Sequence, residues 1–84
     1  MFINKTPDGR NNICGSKIAA LRKTLGISQR ELADGLQLLG LDIDKNAIQR
    51  MEAGKRFITD IELVAISRFF GITLNELVEQ PSLS

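Results

Sequence analysis

The chain has 84 residues, 43% hydrophobic and 25% charged, with a formal net charge of +1, the composition of one small globular domain with no length for a second core. No apolar run approaches the ~20 residues of a membrane span, and Asn4, Asp8 and Asn11 interrupt the start where a signal peptide would be apolar, so a soluble cytoplasmic protein is expected. A lone Cys14 excludes an internal disulfide and the lack of His removes the usual zinc ligand sets, so neither a metal nor a cofactor is expected.

Residues 1–12 contain the turn tripeptide Pro7-Asp8-Gly9 and two Asn residues, which predicts an N-terminal arm, with Phe2 and Ile3 as its only anchors. A domain over 13–80 and a frayed tail over 81–84 complete the expected division. From about Asn12 to Leu25, Ile18, Leu21 and Leu25 share a helical face, and Gly26 stops the helix. Ser28 and Glu31 form the first of three Ser/Thr-x-x-Glu boxes and start a second helix with Leu32, Leu36 and Leu39 inward, ending at Gly40. Asp44 is a natural N-cap for a third helix that carries Ile48 and Met51 inward and ends at Gly54. Thr59/Glu62 opens a fourth helix to about Phe70, with Leu63, Ile66, Ser67 and Phe70 on one face. Gly71 and Thr73/Glu76 then open a fifth, to about Glu79 ahead of Pro81. The result is an all-α, compact five-helix layout of the kind in which small DNA-binding domains hold a helix-turn-helix.

Opposite Ala47, Ile48 and Met51, the third helix carries Lys45, Asn46, Gln49 and Arg50. Any amphipathic helix has a solvated polar side, but these types also suit base edges: Arg and Lys donate to guanine, Asn and Gln pair bidentately with adenine. Charge is polarised along the chain, with Lys5, Arg10, Lys17, Arg22, Lys23 and Arg30 against Asp8 in the first thirty residues and Glu62, Glu76 and Glu79 against Arg68 near the end.

The order and spacing of Leu21-Arg22, Ile27 to Ala33, Ile48 to Arg56, Phe70-Gly71-Ile72 and Leu74 to Leu77 resemble the lambda-repressor-like, Xre-type helix-turn-helix family over about residues 13–79. The resemblance implies a five-helix domain that binds double-stranded DNA, mostly in phage and bacterial regulators acting as dimers. By position it implies that Gln29 touches the phosphate backbone, where a helix N-terminus is itself suited to phosphate, and that Lys55 and Arg56 lie over the sugar-phosphate strand. It also implies an ion pair between Arg22 and Glu52 that joins the first helix to the third. One departure is a longer segment between Ala33 and Glu52, apparently at 37–44, whose Leu38, Leu39, Leu41 and Ile43 predict an extra packed turn.

Ile61, Ala65 and Phe69 form a second apolar stripe on the fourth helix, and a helix apolar nearly all round must be covered on both faces. A second copy of the chain is the expected cover, with Phe57 or Leu74 nearby, and the Phe2-Ile3 arm is the competing one. The function expected is therefore a homodimeric, sequence-specific transcriptional regulator of repressor type. An enzyme is not expected, since no Gly-rich phosphate loop or carboxylate cluster is present. The alternative is a protein-interaction module, such as an antitoxin or anti-repressor partner, using the same fold.

Overall fold

The computed structural model describes residues 4–79. Among them are five helices: α1 (Gly15–Leu25), α2 (Gln29–Leu38), α3 (Lys45–Glu52), α4 (Asp60–Phe70) and α5 (Leu74–Val78). Phe2, Ile3 and the expected tail 81–84 lie outside the described residues.

The helix boundaries follow from local chemistry. Ser28, Thr59 and Thr73 each accept from the backbone N–H three residues on, and Glu31, Glu62 and Glu76 each reach back to the cap N–H, so all three capping boxes close. Asp44 caps α3 by accepting from the Ala47 N–H at 2.8 Å. At the other ends, Gly26 (φ 70°) and Gly71 (φ 68°) take the left-handed conformation that lets the chain leave α1 and α4 within one residue. α1 starts at Gly15 rather than near Asn12, because the chain before it is engaged elsewhere.

Every helix contributes to one core. Ile18, Leu32, Leu36, Ile48, Met51, Ile66 and Leu77 are each 0% exposed, and burying a side chain of this size stabilises the fold by about 1.5–3 kcal/mol relative to leaving it in water. Leu25 is 56% exposed and takes no part. Cys14 is buried at the start of α1, and that burial pushes its thiol pKa up, which disfavours the reactive thiolate. Lys17 Nζ donates to the Glu76 carbonyl at 2.6 Å and fastens α5 to α1.

The described part of the N-terminal segment is held by polar anchors. Arg10 Nη2 donates to the Glu52 carbonyl at 2.8 Å, the Asn11 N–H to the Gly54 carbonyl at 2.8 Å, and Asn12 Nδ2 to the carbonyls of Met51 (3.1 Å) and Arg56 (2.8 Å). Thr6 holds a turn ahead of them, accepting the Gly9 and Arg10 N–H groups and donating to Asp8, and that hydrogen bond is the main cause of a lowered Asp8 pKa. The expectation that Phe2 and Ile3 alone anchor this segment is thus corrected, since orphan carbonyls at a helix C-terminus attract any donor within reach.

Candidate nucleic-acid interface

α2 and α3 are joined by residues 39–44, and the longer segment noted in the sequence is this link rather than an extended helix. Gly40 turns the chain at φ 90°, the Leu41 N–H returns to the Leu36 carbonyl at 3.1 Å, and Gln37 Nε2 reaches across to the Ile43 carbonyl at 2.7 Å. Ile43 is buried and Leu41 half-buried, whereas Leu38 is 89% exposed and Leu39 49%. The expected packed turn is therefore correct for Leu41 and Ile43 and wrong for the two leucines before them. The link is thus closed by its own hydrogen bonds.

The third helix sorts its residues cleanly. Ile48 and Met51 point into the core, while Lys45, Asn46, Gln49 and Arg50 are all exposed. None of these four side chains makes a hydrogen bond or ion pair among the described residues. Lys55 is likewise exposed, and its N–H bonds to the Arg50 carbonyl at 2.9 Å, which continues the chain directly out of the helix.

Behind that row, Arg22 on α1 and Glu52 at the end of α3 meet in a two-pronged pair, Nε to Oε2 at 2.7 Å and Nη2 to Oε1 at 3.0 Å. Their side chains are only 13% and 8% exposed. The hydrogen bond to Glu52, aided by its charge, raises the Arg22 pKa against the opposing effect of desolvation. Two further bonds complete the cluster: Arg22 Nη1 donates to the Ile27 carbonyl at 2.9 Å, and Gln29 Nε2 donates to Glu52 Oε1 at 3.0 Å. The Gln29 amide, expected on the phosphate backbone, is thus occupied with Glu52.

A second pair sits just past α3. Arg56 gives both arms of its guanidinium to Glu62, Nη1 to Oε1 and Nη2 to Oε2, each at 2.9 Å, and Nη1 also donates to the Phe57 carbonyl. Its pKa is raised, first by the hydrogen bond to Glu62. For Glu62, burial pushes the carboxyl up, but hydrogen bonds from Arg56 and from the Thr59 backbone, with the Arg56 charge, outweigh it and the net shift is down. Arg56 was expected beside Lys55 on the phosphate strand; the structure instead ties it to the start of α4, because a carboxylate six residues on competes for it.

The apolar stripe of α4 also resolves differently. Ile61 is 72% exposed, but Ala65 is 9% exposed and Phe69 is packed on the core. Phe69 lies so close over Gly35 that a Cβ there would overlap its ring, and its partner Phe70 meets it edge-on at 5.1 Å. Most of the stripe is therefore covered from within the chain, by α2. Beside Ile61 lies an open, shallow groove of ≈ 180 Å³ lined by Leu39, Leu41, Ile61, Val64, Ala65 and Arg68.

Sequence reasoning missed Arg10, Asn11 and Asn12 as residues of this region. Their partners lie 39 to 44 residues away, and no local signal marks them. It also missed the seat of Phe69, for which there was a signal: Gly35 in mid-helix costs about 1 kcal/mol against Ala and so points to a close neighbour.

Two capped helices joined by a fixed link, with the second turning a free polar row outward on a shared all-α core, define a helix-turn-helix domain. A helix-turn-helix family profile matches residues 18–77, most of the chain. The protein belongs to this lambda-repressor-like, Xre-type family, whose domain is a DNA-binding and non-enzymatic one, and it is a DNA-binding helix-turn-helix regulator. Comparison with curated proteins and with solved structures gives no significant match in either. Among the described residues no helix is long and apolar enough to cross a membrane.

Proposed function

We propose that the protein is a sequence-specific repressor-type regulator that reads the major groove of double-stranded DNA with α3. The observation that carries this reading is the row Lys45, Asn46, Gln49 and Arg50, exposed and without a partner among the described residues, on a helix fixed at both ends. Side chains that already satisfied one another would have to break those bonds before meeting a base; these do not. Lys55 supplies a phosphate contact at the exit, and the first-turn N–H groups of α2 supply another beside Gln29. Selection of duplexes by the protein from a random pool tests the reading directly. A consensus sequence is the expected result, and recovery of the unselected base composition would reject sequence-specific binding.

The proposed active form is a homodimer, because one helix of eight residues (Lys45–Glu52) spans too few base pairs for useful specificity. Its contact is assigned to the open groove, through Leu39, Ile61 and Val64, with the exposed Leu38 next to Leu39 in the chain, and not to Phe69. Two-fold pairing sets the two α3 helices about 34 Å apart and gives a palindromic site. Sedimentation of Ile61→Glu beside the parent checks this: the parent sediments as a dimer and the variant as a monomer. The same exposed leucines favour the second reading, a protein-interaction module; a parent that stays monomeric, selects no duplex and captures a different protein through Leu38 and Ile61 would support it.

A further inference from the structure

The segment ahead of α1 lies outside the span matched by the family and grips the end of the proposed reading helix. Five carbonyls at and beyond the C-terminus of α3 accept from three consecutive residues: Glu52 from Arg10, Gly54 and Lys55 from Asn11, Met51 and Arg56 from Asn12. The fit is close on both sides. A Cβ on Gly54 would come within 2.6 Å of the Arg10 guanidinium carbon, and one on Gly15 would overlap the Met51 carbonyl. Arg10 also places a positive charge where the α3 dipole is negative.

We propose that Arg10, Asn11 and Asn12 form a polar strap that positions the α3 exit, Gly54 to Arg56, for the DNA backbone without touching DNA. This rests on the DNA-binding reading above and adds residues that the family match does not include. The physical basis is preorganisation. Lys55 sits on a short exit whose carbonyls are otherwise free to sample many arrangements, and a cation held in place binds phosphate without first being ordered. Lys55 is held on both sides, and the strap supplies one of them: its N–H bonds to the Arg50 carbonyl of α3, and its carbonyl accepts from Asn11 Nδ2 at 3.2 Å. Asn12 does a second task, accepting the Gly15 N–H at 2.8 Å and so starting α1.

Asn12→Ser separates these tasks, since a serine hydroxyl can still serve the start of α1 but is too short to span to the Met51 and Arg56 carbonyls. The probe is a duplex recovered from a random pool with the parent protein. Amide exchange at Asn11 and Lys55, measured without DNA, is expected to speed up. Affinity is expected to fall roughly three- to tenfold, with the slope of log affinity against log salt unchanged because no phosphate contact is lost. Asn11→Ala, which removes the bond to the Lys55 carbonyl together with an Oδ1 that is buried without a partner among the described residues, should give the same pattern at smaller size, and should add nothing once Lys55→Ala is present. Faster exchange with undiminished affinity would overturn the proposal, as would a drop in salt slope of about one unit, which would mean that the strap itself touches phosphate. Unchanged exchange in both variants would show that these side chains do not hold the exit, and would overturn it too. A parent that recovers no duplex removes the DNA reading and this inference with it, a failure distinct from the others because it precedes any substitution.

Discussion

The outward row of α3 and the C-terminal end of the same helix are built in opposite ways. Lys45, Asn46, Gln49 and Arg50 are exposed with no partner among the described residues. One turn later, Glu52 takes three hydrogen bonds from Arg22 and Gln29, and Arg56 is held by Glu62. The difference separates two requirements that a reading helix must meet together. Its position must be fixed by bonds that never change, and its reading groups must be free to change partners.

If that division is right, substitutions at the end of α3 act on stability and substitutions along its outward row act on binding. The largest effect is expected for Glu52→Ala, which strands Arg22 at 13% exposure and also releases Gln29. A loss of about 3–5 kcal/mol is predicted in denaturant unfolding. A loss under about 1 kcal/mol would mean the pair behaves as an exposed one.

Two neighbouring cations sharpen the comparison. Arg56→Ala removes both hydrogen bonds to a buried carboxylate, and a loss of about 1.5–3 kcal/mol in stability is expected with the salt dependence of DNA binding unchanged. Lys55→Ala should do the reverse, leaving the unfolding midpoint within about 0.5 kcal/mol of the parent while lowering the salt slope by about one unit per half-site. Equal salt slopes for the two variants would erase the distinction between a structural and a DNA-facing cation.

The smallest effect expected is on pH. Glu62 has a folded pKa below its ordinary value of 4.5, so its charged form contributes stability that is complete above that value. The contribution is lost as the pH falls through the lower folded pKa. Melting temperatures taken between about pH 5 and about pH 3 should therefore fall less steeply for Glu62→Gln than for the parent. Parallel curves would contradict the role given to the Arg56–Glu62 pair.

Much of this was legible in the sequence because it is local. A capping box needs residues three apart, a helix stop needs one glycine, and a buried face needs a repeat of three or four, so the five helices and the outward row of α3 could be read in chain order. What could not be read is competition between distant partners. Arg56 looks like a basic exit residue until Glu62, itself half of a capping box, turns out to face it. Phe69 looks uncovered until Gly35 lets α2 approach it. Leu38 looks like part of a packed turn until Gln37 and Leu41 close the link without it. Asn11 and Asn12 look like loop residues because nothing near them in the chain shows the four carbonyls at the α3 exit that they meet.

If the outward row of α3 selects sequence while the rest of the helix holds that row in place, substitutions along the row should change the preferred duplex and nothing else. Random-pool selection run in parallel on the parent, Arg50→Ala and Asn46→Ala measures this. Each variant is expected to lose preference at one base position per half-site, at a cost of about 1–3 kcal/mol for the parent's preferred duplex, with the other positions and the fold intact. Identical consensus sequences and affinities for all three proteins would contradict it.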